Sequence, residues 1–352
     1  MSEKKIVFIV GAGASKEIGL PTGNKLKETI AKCFDIDYEF DNQKNGSKLI
    51  VQALESHYLQ QGNRPIIEPY LQAGLKIRDA MPQEISIDNF IDKNSEDKKI
   101  ELCGKLAIVH SIIDAERNSK LYFDSSNCEN KLNLSDIEDT WYMNFWKLLF
   151  GNCKKKDIST RLKKIALIVF NYDRCIEHFL LNSLMNNYKI QVEEAAKYVN
   201  EIEIYHPYGK VGNLPWQVSN QSIKYGDKLK NGKQLRELSK QIKTFTEGTN
   251  PNSSDIKNIH DNISKADKIV FLGFAYHPLN MKLLSLEEKS ENINKGSSVC
   301  FGTAKGKSDN DTKSIISELN KSYYTRTNKI FIDNKLECAD LFYEYERSLS
   351  FD

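Results

Sequence analysis

The chain has 352 residues, 40% hydrophobic and 28% charged, a balance that excludes a disordered or fibrous protein. Its 50 basic and 48 acidic residues nearly cancel to a net charge of +2, so no strong intrinsic nucleic-acid binding is expected. Seven cysteines are scattered without a CxxC pair, which argues against a disulfide framework or a structural zinc site and fits a reducing cytoplasm.

The first apolar run, Ile6–Val10, is too short for the core of a secretory signal. No stretch approaches the about 18 apolar residues of a membrane span, so a soluble, cytoplasmic protein is expected. The run leads into "GAGAS" at 11–15. There Gly11 allows a tight turn and Gly13 lets backbone approach a phosphate that a Cβ would keep away. Amides at the following helix start, Ala12 included, would face that anion. Ser15 can cap the helix or bond a phosphate oxygen. A GxGxxG fingerprint needs a third glycine where Lys16 stands, and no GK[ST] ending of a Walker loop follows. Asp35 and Asp37 sit at about the spacing of a ribose-binding acid. The turn favours a nucleotide more than it favours a dehydrogenase.

A helix is predicted over Lys25–Phe34, and from about 35 to 164 the chain reads as mainly helical and polar. Within Lys98–Leu121, Leu102, Leu106, Val109 and Ile113 form one apolar stripe at helical spacing, which is ordinary core packing. Thr140–Phe150 carries Trp141, Phe145 and Trp146 as core anchors. "CKKK" at 153–156 reads as a solvated face. Residues 35–164 are therefore expected to form a helical insertion beside the sheet, making one wall of a cleft.

Beyond it, apolar runs at Ile165–Phe170, Ile202–His206, Ile269–Leu272, Val299–Gly302 and Ile330–Asp333 alternate with helical patterns at Arg174–Met185, Lys230–Phe245 and Ser253–Lys265. "GTNPNSSD" at 248–255 reads as a loop with Asp255 near a helix start. Near-continuous apolar strands separated by helices predict an α/β protein with a doubly wound, mainly parallel, Rossmann-like sheet built from 1–34 and 165–352.

Several strand ends are polar, and open α/β sheets bind ligands at that edge. "VFNYD" offers Asn171 and Asp173, "IYHPYGKVG" offers His206, and "FLGFAYHPLN" offers Gly273, His277 and Asn280. Each has a structural alternative. Asn171 can be a turn residue bonding its own backbone, Asp173 can cap the helix that begins near Arg174, and His206 can be a satisfied buried ring.

The order GAGAS, FNYD, a histidine shortly before glycine, LGF and then "FGTAKG" at 301–306 resembles the sirtuin-like superfamily across essentially the whole chain. With "SIDNFID" at 86–92, it is similar to the bacterial sirtuin-like NADases of antiphage defence. The resemblance implies NAD+ as a substrate, bound by Gly11, Ala12, Gly13, Ser15, Gly273, Phe274 and Thr303, the last against the adenosine half. It implies Asn171, His206 and Asp173 as the catalytic set, with no metal. Asn171 would hold ribose or water, His206 would accept a proton, and Asp173 would steady positive charge or position the Asn171 loop. Directly before Gly209, where the family places its histidine, this chain has Tyr208, so the role passes to His206. Lys210–Leu272 lacks the zinc cysteines of deacylases, which weakens a deacylase reading. The expected activity is hydrolysis of the nicotinamide–ribose bond to nicotinamide and ADP-ribose, or a cyclic variant. Such an effector is restrained, so a homo-oligomer is expected, with a HerA-like ATPase, an Argonaute-type protein or another sensor as partner. A module that senses NAD or ADP-ribose without cleaving it is the non-enzymatic alternative.

Overall fold

A computed structural model describes residues 5–39, 42–59, 67–127, 129–217, 222–248, 254–286, 298–323 and 327–351. Eight strands lie among them: β1 (Ile6–Val10), β2 (Asp37–Glu39), β3 (Asn42–Asn45), β4 (Ile165–Val169), β5 (Glu203–Tyr205), β6 (Lys268–Leu272), β7 (Val299–Thr303) and β8 (Ile330–Asp333). β2 and β3 make a separate antiparallel hairpin. The other six form one sheet, all neighbours parallel, in the order β5-β4-β1-β6-β7-β8. The chain starts at the centre, winds outward through β4 and β5, then crosses β1 and winds outward the other way. This is the Rossmann-like doubly wound α/β fold, and its winding reverses between β1 and β6. All six expected sheet strands are present, each within one residue at either end.

The apolar runs are continuous because both faces of the sheet are covered. Alternate side chains point to opposite faces, so Val7, Ile9, Ala166, Ile168, Ile269 and Phe271 join one buried cluster while Phe8, Val10, Leu167, Val169, Val270 and Leu272 join another. Helices Gly23–Cys33, Lys98–Arg117 and Ser254–Lys265 supply the first cluster. Trp141–Phe150, Cys175–Tyr188 and Cys338–Glu344 supply the second.

Residues 35–164 thus contribute to both covering layers, where an insertion standing beside the sheet was expected. Helix Lys98–Arg117 is buried nearly all round, with Cys103, Ala107, Ile108 and Ile112 inside as well as Leu106, Val109 and Ile113; Leu102 is only partly covered. Trp141 and Phe145 are fully buried and Trp146 partly so. The helix expected over Lys230–Phe245 is shorter. Asn231 accepts the Gln234 amide at 3.0 Å, a helix runs over Gly232–Ser239, and Ile242 then leaves it to bridge Gly209. Residues 249–253 of the expected loop, and Cys128, lie outside the described residues; Asp255 stands in the first turn of its helix. Among the described residues, no helix is long and apolar enough to cross a membrane.

One buried ion pair ties the long helix to the sheet's edge. Glu116 and Arg174 are both fully buried, and the guanidinium binds the carboxylate through Nε and Nη2 while Nη1 donates to the Ile223 carbonyl at 2.7 Å. The Arg174 amide also reaches Glu116, at 3.2 Å. Arg174 follows Asp173, so this pair fixes the turn after β4.

Candidate functional site

Val10, Val169 and Leu272 lie in register, so β4, β1 and β6 end level. Above this edge is a cavity of about 700 Å³. Its floor is Gly11–Gly13 and Gly273–Ala275, with Phe170 after β4, Tyr208 after β5, Thr303 at the end of β7 and Cys338 beyond β8. Ile85–Asn89, from the segment between β3 and β4, closes one side. The chain at or beyond the carboxyl end of each sheet strand therefore borders the cavity, which lies over the point between β1 and β6 where the winding reverses.

The glycines serve a junction between two loops. A Cβ on Gly11 or Gly13 would meet the Gly273 carbonyl oxygen at 2.6 or 2.8 Å. One on Gly273, whose φ is +55°, would meet the Ala14 nitrogen at 2.0 Å. The Gly11 amide donates to the Leu272 carbonyl at 2.9 Å and the Gly13 amide to Gly273 at 3.0 Å. Gly13 thus lets the β6 loop approach rather than freeing its own amide for an anion. Thr303 accepts the Gly273 amide at 3.0 Å and lines the cavity, as do Ala12 and Phe274.

The expected catalytic side chains are grouped together, but behind the wall. Ser15 is buried and caps nothing with its side chain. Its hydroxyl donates to Asp173 at 3.0 Å and accepts from Asn171 Nδ2 at 3.0 Å. Asn171 also donates to the Gly11 carbonyl at 3.2 Å. Asp173 accepts the Cys175 amide at 3.1 Å, the capping role that was its alternative, and burial raises its pKa. His206 places Nδ1 3.2 Å from the Asn171 carbonyl and Nε2 3.2 Å from Glu177. Burial would push the Glu177 carboxyl up, but Lys210 and His206 outweigh it and hold the group well below the usual carboxylate range. None of Ser15, Asn171, Asp173 and His206 lines the cavity. Directly before Gly209 the cavity meets Tyr208, whose hydroxyl donates to Asn280. Asp35 and Asp37 are exposed and away from it, Asp35 pairing with Arg78 at 3.4 Å.

Three carboxylates do line the cavity, and they differ in what they hold. Glu17 accepts the Trp141 amide at 2.7 Å and the Ala339 amide at 3.0 Å, so it joins the starts of two helices; burial raises its pKa. Glu337 pairs with Lys305 at 2.6 Å. Asp88 has only neutral donors, with Tyr172 donating its hydroxyl, and burial raises its pKa against that bond. His277 also faces the cavity, its pKa lowered by burial while Asp88 pulls the other way. Asp88 stands in the "SIDNFID" stretch, so its presence was legible; that it faces the β4–β6 edge was not. Among the described residues no three His, Cys, Asp or Glu side chains gather as a metal site. No protein-family model and no curated protein sequence matches the chain.

Proposed function

We propose that this chain binds NAD+ across the β1–β6 crevice and cleaves its nicotinamide–ribose bond, giving nicotinamide and ADP-ribose. The observation that carries the reading is the placement of a 700 Å³ cavity over the glycine junction where the strand order reverses. Open α/β sheets bind dinucleotides there. The flat walls of Phe170, Phe274 and Tyr208 suit aromatic rings, and the lysines Lys16 and Lys307 on the rim suit a pyrophosphate.

Cleavage passes through an oxocarbenium-like state, in which positive charge moves from the pyridinium to the ribose. Asp88 forms no salt bridge with a lysine or arginine among the described residues and is not tied to helix amides as Glu17 is, so it is the cavity carboxylate best able to steady that charge. Asn171, Asp173 and His206 then act as positioning residues that hold the Gly11 loop beneath the ligand. On the sirtuin-like resemblance, the enzyme would deplete NAD during bacterial antiphage defence. It would be a cytoplasmic homo-oligomer restrained until a HerA-like ATPase or other sensor engages it.

A second reading, a sensor that holds NAD or ADP-ribose without turnover, is favoured by one observation. Two of the residues expected to carry the chemistry, Asn171 and His206, do not line the cavity. An assay following nicotinamide and ADP-ribose by chromatography separates the readings. Wild type should release nicotinamide, and Ala275→Trp, which fills the cavity floor from an exposed position two residues beyond Gly273, should abolish release. NAD retained unconsumed with the partner ATPase present would favour the sensor. Absence of NAD binding would sink both.

A further inference from the structure

We infer that the edge strand β8 is a self-complementary surface on which a second copy of this chain docks, antiparallel and about a twofold axis at Phe331. The proposed homo-oligomer leaves that surface unnamed, and the contact is independent of what the cavity binds.

β8 is paired with β7 on one side only. The Ala304 amide donates to the Asp333 carbonyl at 2.7 Å, so Asp333 turns its backbone groups towards β7. These groups alternate in direction along a strand. Phe331 therefore also faces β7, whereas Ile330 and Ile332 turn their amides and carbonyls outward, where no described residue bonds them. An open row of this kind is a template for another strand unless charge, proline or a bulge protects it. The opposite edge is protected: β5 has three residues, and its Glu203 pairs with Lys5. β8 instead reads IFID, apolar up to its last residue. Ile330 and Ile332 are buried on one face, but Phe331, on the other, is 42% exposed even though it stacks on Phe301 with ring centroids 5.5 Å apart. Three large apolar side chains are exposed among the described residues: Ile85 at the cavity rim, Phe331, and Tyr343 in the helix that follows β8.

The residues around Phe331 select both the occupant and its register. In an antiparallel pair centred there, Ile330 of one copy lies opposite Ile332 of the other, and their outward groups meet as a hydrogen-bonded pair. Phe331 meets Phe331 at the axis, as the closer, non-hydrogen-bonded pair. Lys329, just before the strand, and Asp333, at its end, flank Phe331. The twofold sets each against the other on both sides of the axis, a pairing of opposite charges. Asp333 accepts the Lys335 amide through Oδ1, which leaves Oδ2 for that lysine. Moving the axis to Ile332 would set Lys329 against Lys335, and moving it to Ile330 would leave Asp333 facing Thr327. One register thus satisfies backbone, ring and charge together, and it joins two six-stranded sheets into one. Leu336, Glu337 and Cys338, just beyond β8, border the cavity, so the docked edge lies next to the site.

The test is sedimentation equilibrium of the full chain between about 1 and 100 µM, a range that suits a short, non-obligate contact. Wild type should pass from monomer to dimer across it. Lys329→Glu sets Glu against Asp333 twice, and Asp333→Lys sets Lys against Lys329 twice, so each should weaken dimerisation about tenfold or more. Mixed in equal amounts, the two variants regain an opposite pair on each side of the axis. They should dimerise with one another as wild type does, which also shows that both are folded. Phe331→Lys, which puts two ammonium groups at the axis, should abolish the dimer. Amide exchange at Ile330 and Ile332 should slow as wild type is concentrated. Wild type that stays monomeric across the range overturns the proposal. A dimer that survives Phe331→Lys overturns it too, because the contact is then elsewhere. A mixture no more associated than its components does the same, because the register is then wrong.

Discussion

His178 and His206, 28 residues apart, differ in what their rings face. His178 is stacked on Tyr225 with ring centroids 4.0 Å apart. Its Nε2 faces the Leu121 carbonyl at 3.1 Å, and Asn182 Nδ2 approaches Nδ1 at 3.4 Å. A carbonyl only accepts and an amide nitrogen only donates, so these partners fit the neutral ring with its proton on Nε2. Burial lowers the His178 pKa to about 3. In the unfolded chain it is about 6.5. Between those values the unfolded chain binds a proton that the folded chain does not, so stability falls as pH falls through that window, by up to about 1.4 kcal/mol per unit. His178→Phe keeps a ring against Tyr225 but orphans the Leu121 carbonyl. It should cost about 1–3 kcal/mol at pH 8, with the gap to wild type closing as pH drops to 5. Urea unfolding at the two pH values measures this; a gap that stays constant would mean that His178 does not fold as a buried neutral ring. His206, by contrast, faces two acceptors, Asn171 and Glu177, and belongs to a buried charge network rather than to a stack.

At the scale of elements, two junctions hold the site. The Glu116–Arg174 pair couples helix Lys98–Arg117 to the turn after β4, and Glu116→Gln would leave a buried guanidinium uncompensated. The expected loss is about 3–5 kcal/mol by chemical denaturation, much of it restored in Glu116→Met/Arg174→Met, which removes both charges. Equal instability of single and double variants would show that packing, not charge, dominates there. The glycine junction is the second. Gly273→Ala places a Cβ 2.0 Å from the Ala14 nitrogen at a positive φ, so it should separate the loops and abolish dinucleotide binding. Unchanged binding in a folded Gly273→Ala would disconnect the junction from the site. The strands were legible because β-branched runs bounded by turns are local signals, and their apolar character on both faces announced a covered parallel sheet. The hairpin of Asp37–Glu39 and Asn42–Asn45 was not, since its polar residues carry no alternation. Nor was the pairing of Glu116 with Arg174, 58 residues apart, or the partition of 35–164 between two layers. Likewise the side of the wall that Asn171, His206, Tyr208 and Asp88 occupy follows from how strands end level after winding, which no local pattern encodes.

At the scale of the whole molecule, the cavity is walled by pieces distant in sequence: the loops after β1, β6 and β7, and Ile85–Asn89 from the segment ahead of β4. A ligand seated across it would bridge these pieces and so bind the folded chain and not the unfolded one. At one hundred times Kd, such binding stabilises by about 2.7 kcal/mol. For 352 residues, with unfolding entropy near 2.1 cal/mol/K per residue, that corresponds to a rise in Tm of about 4 °C. Carba-NAD+, an analogue that keeps the pyridinium and resists cleavage, should produce this shift in a thermal unfolding experiment, growing with the logarithm of ligand concentration. Amide exchange should slow together in Gly11–Ser15, Gly273–Ala275 and Ser86–Asn89, because the ligand closes all three against one another. Ile85, 61% exposed at the cavity's rim, should lose exposure in the same step. A Tm shift with protection confined to the glycine loops would place the ligand on the sheet edge alone, leaving the Asp88 wall out of the site. Protection at all three, lost at Ser86–Asn89 in Asp88→Asn, would tie the wall's closure to the charge it meets.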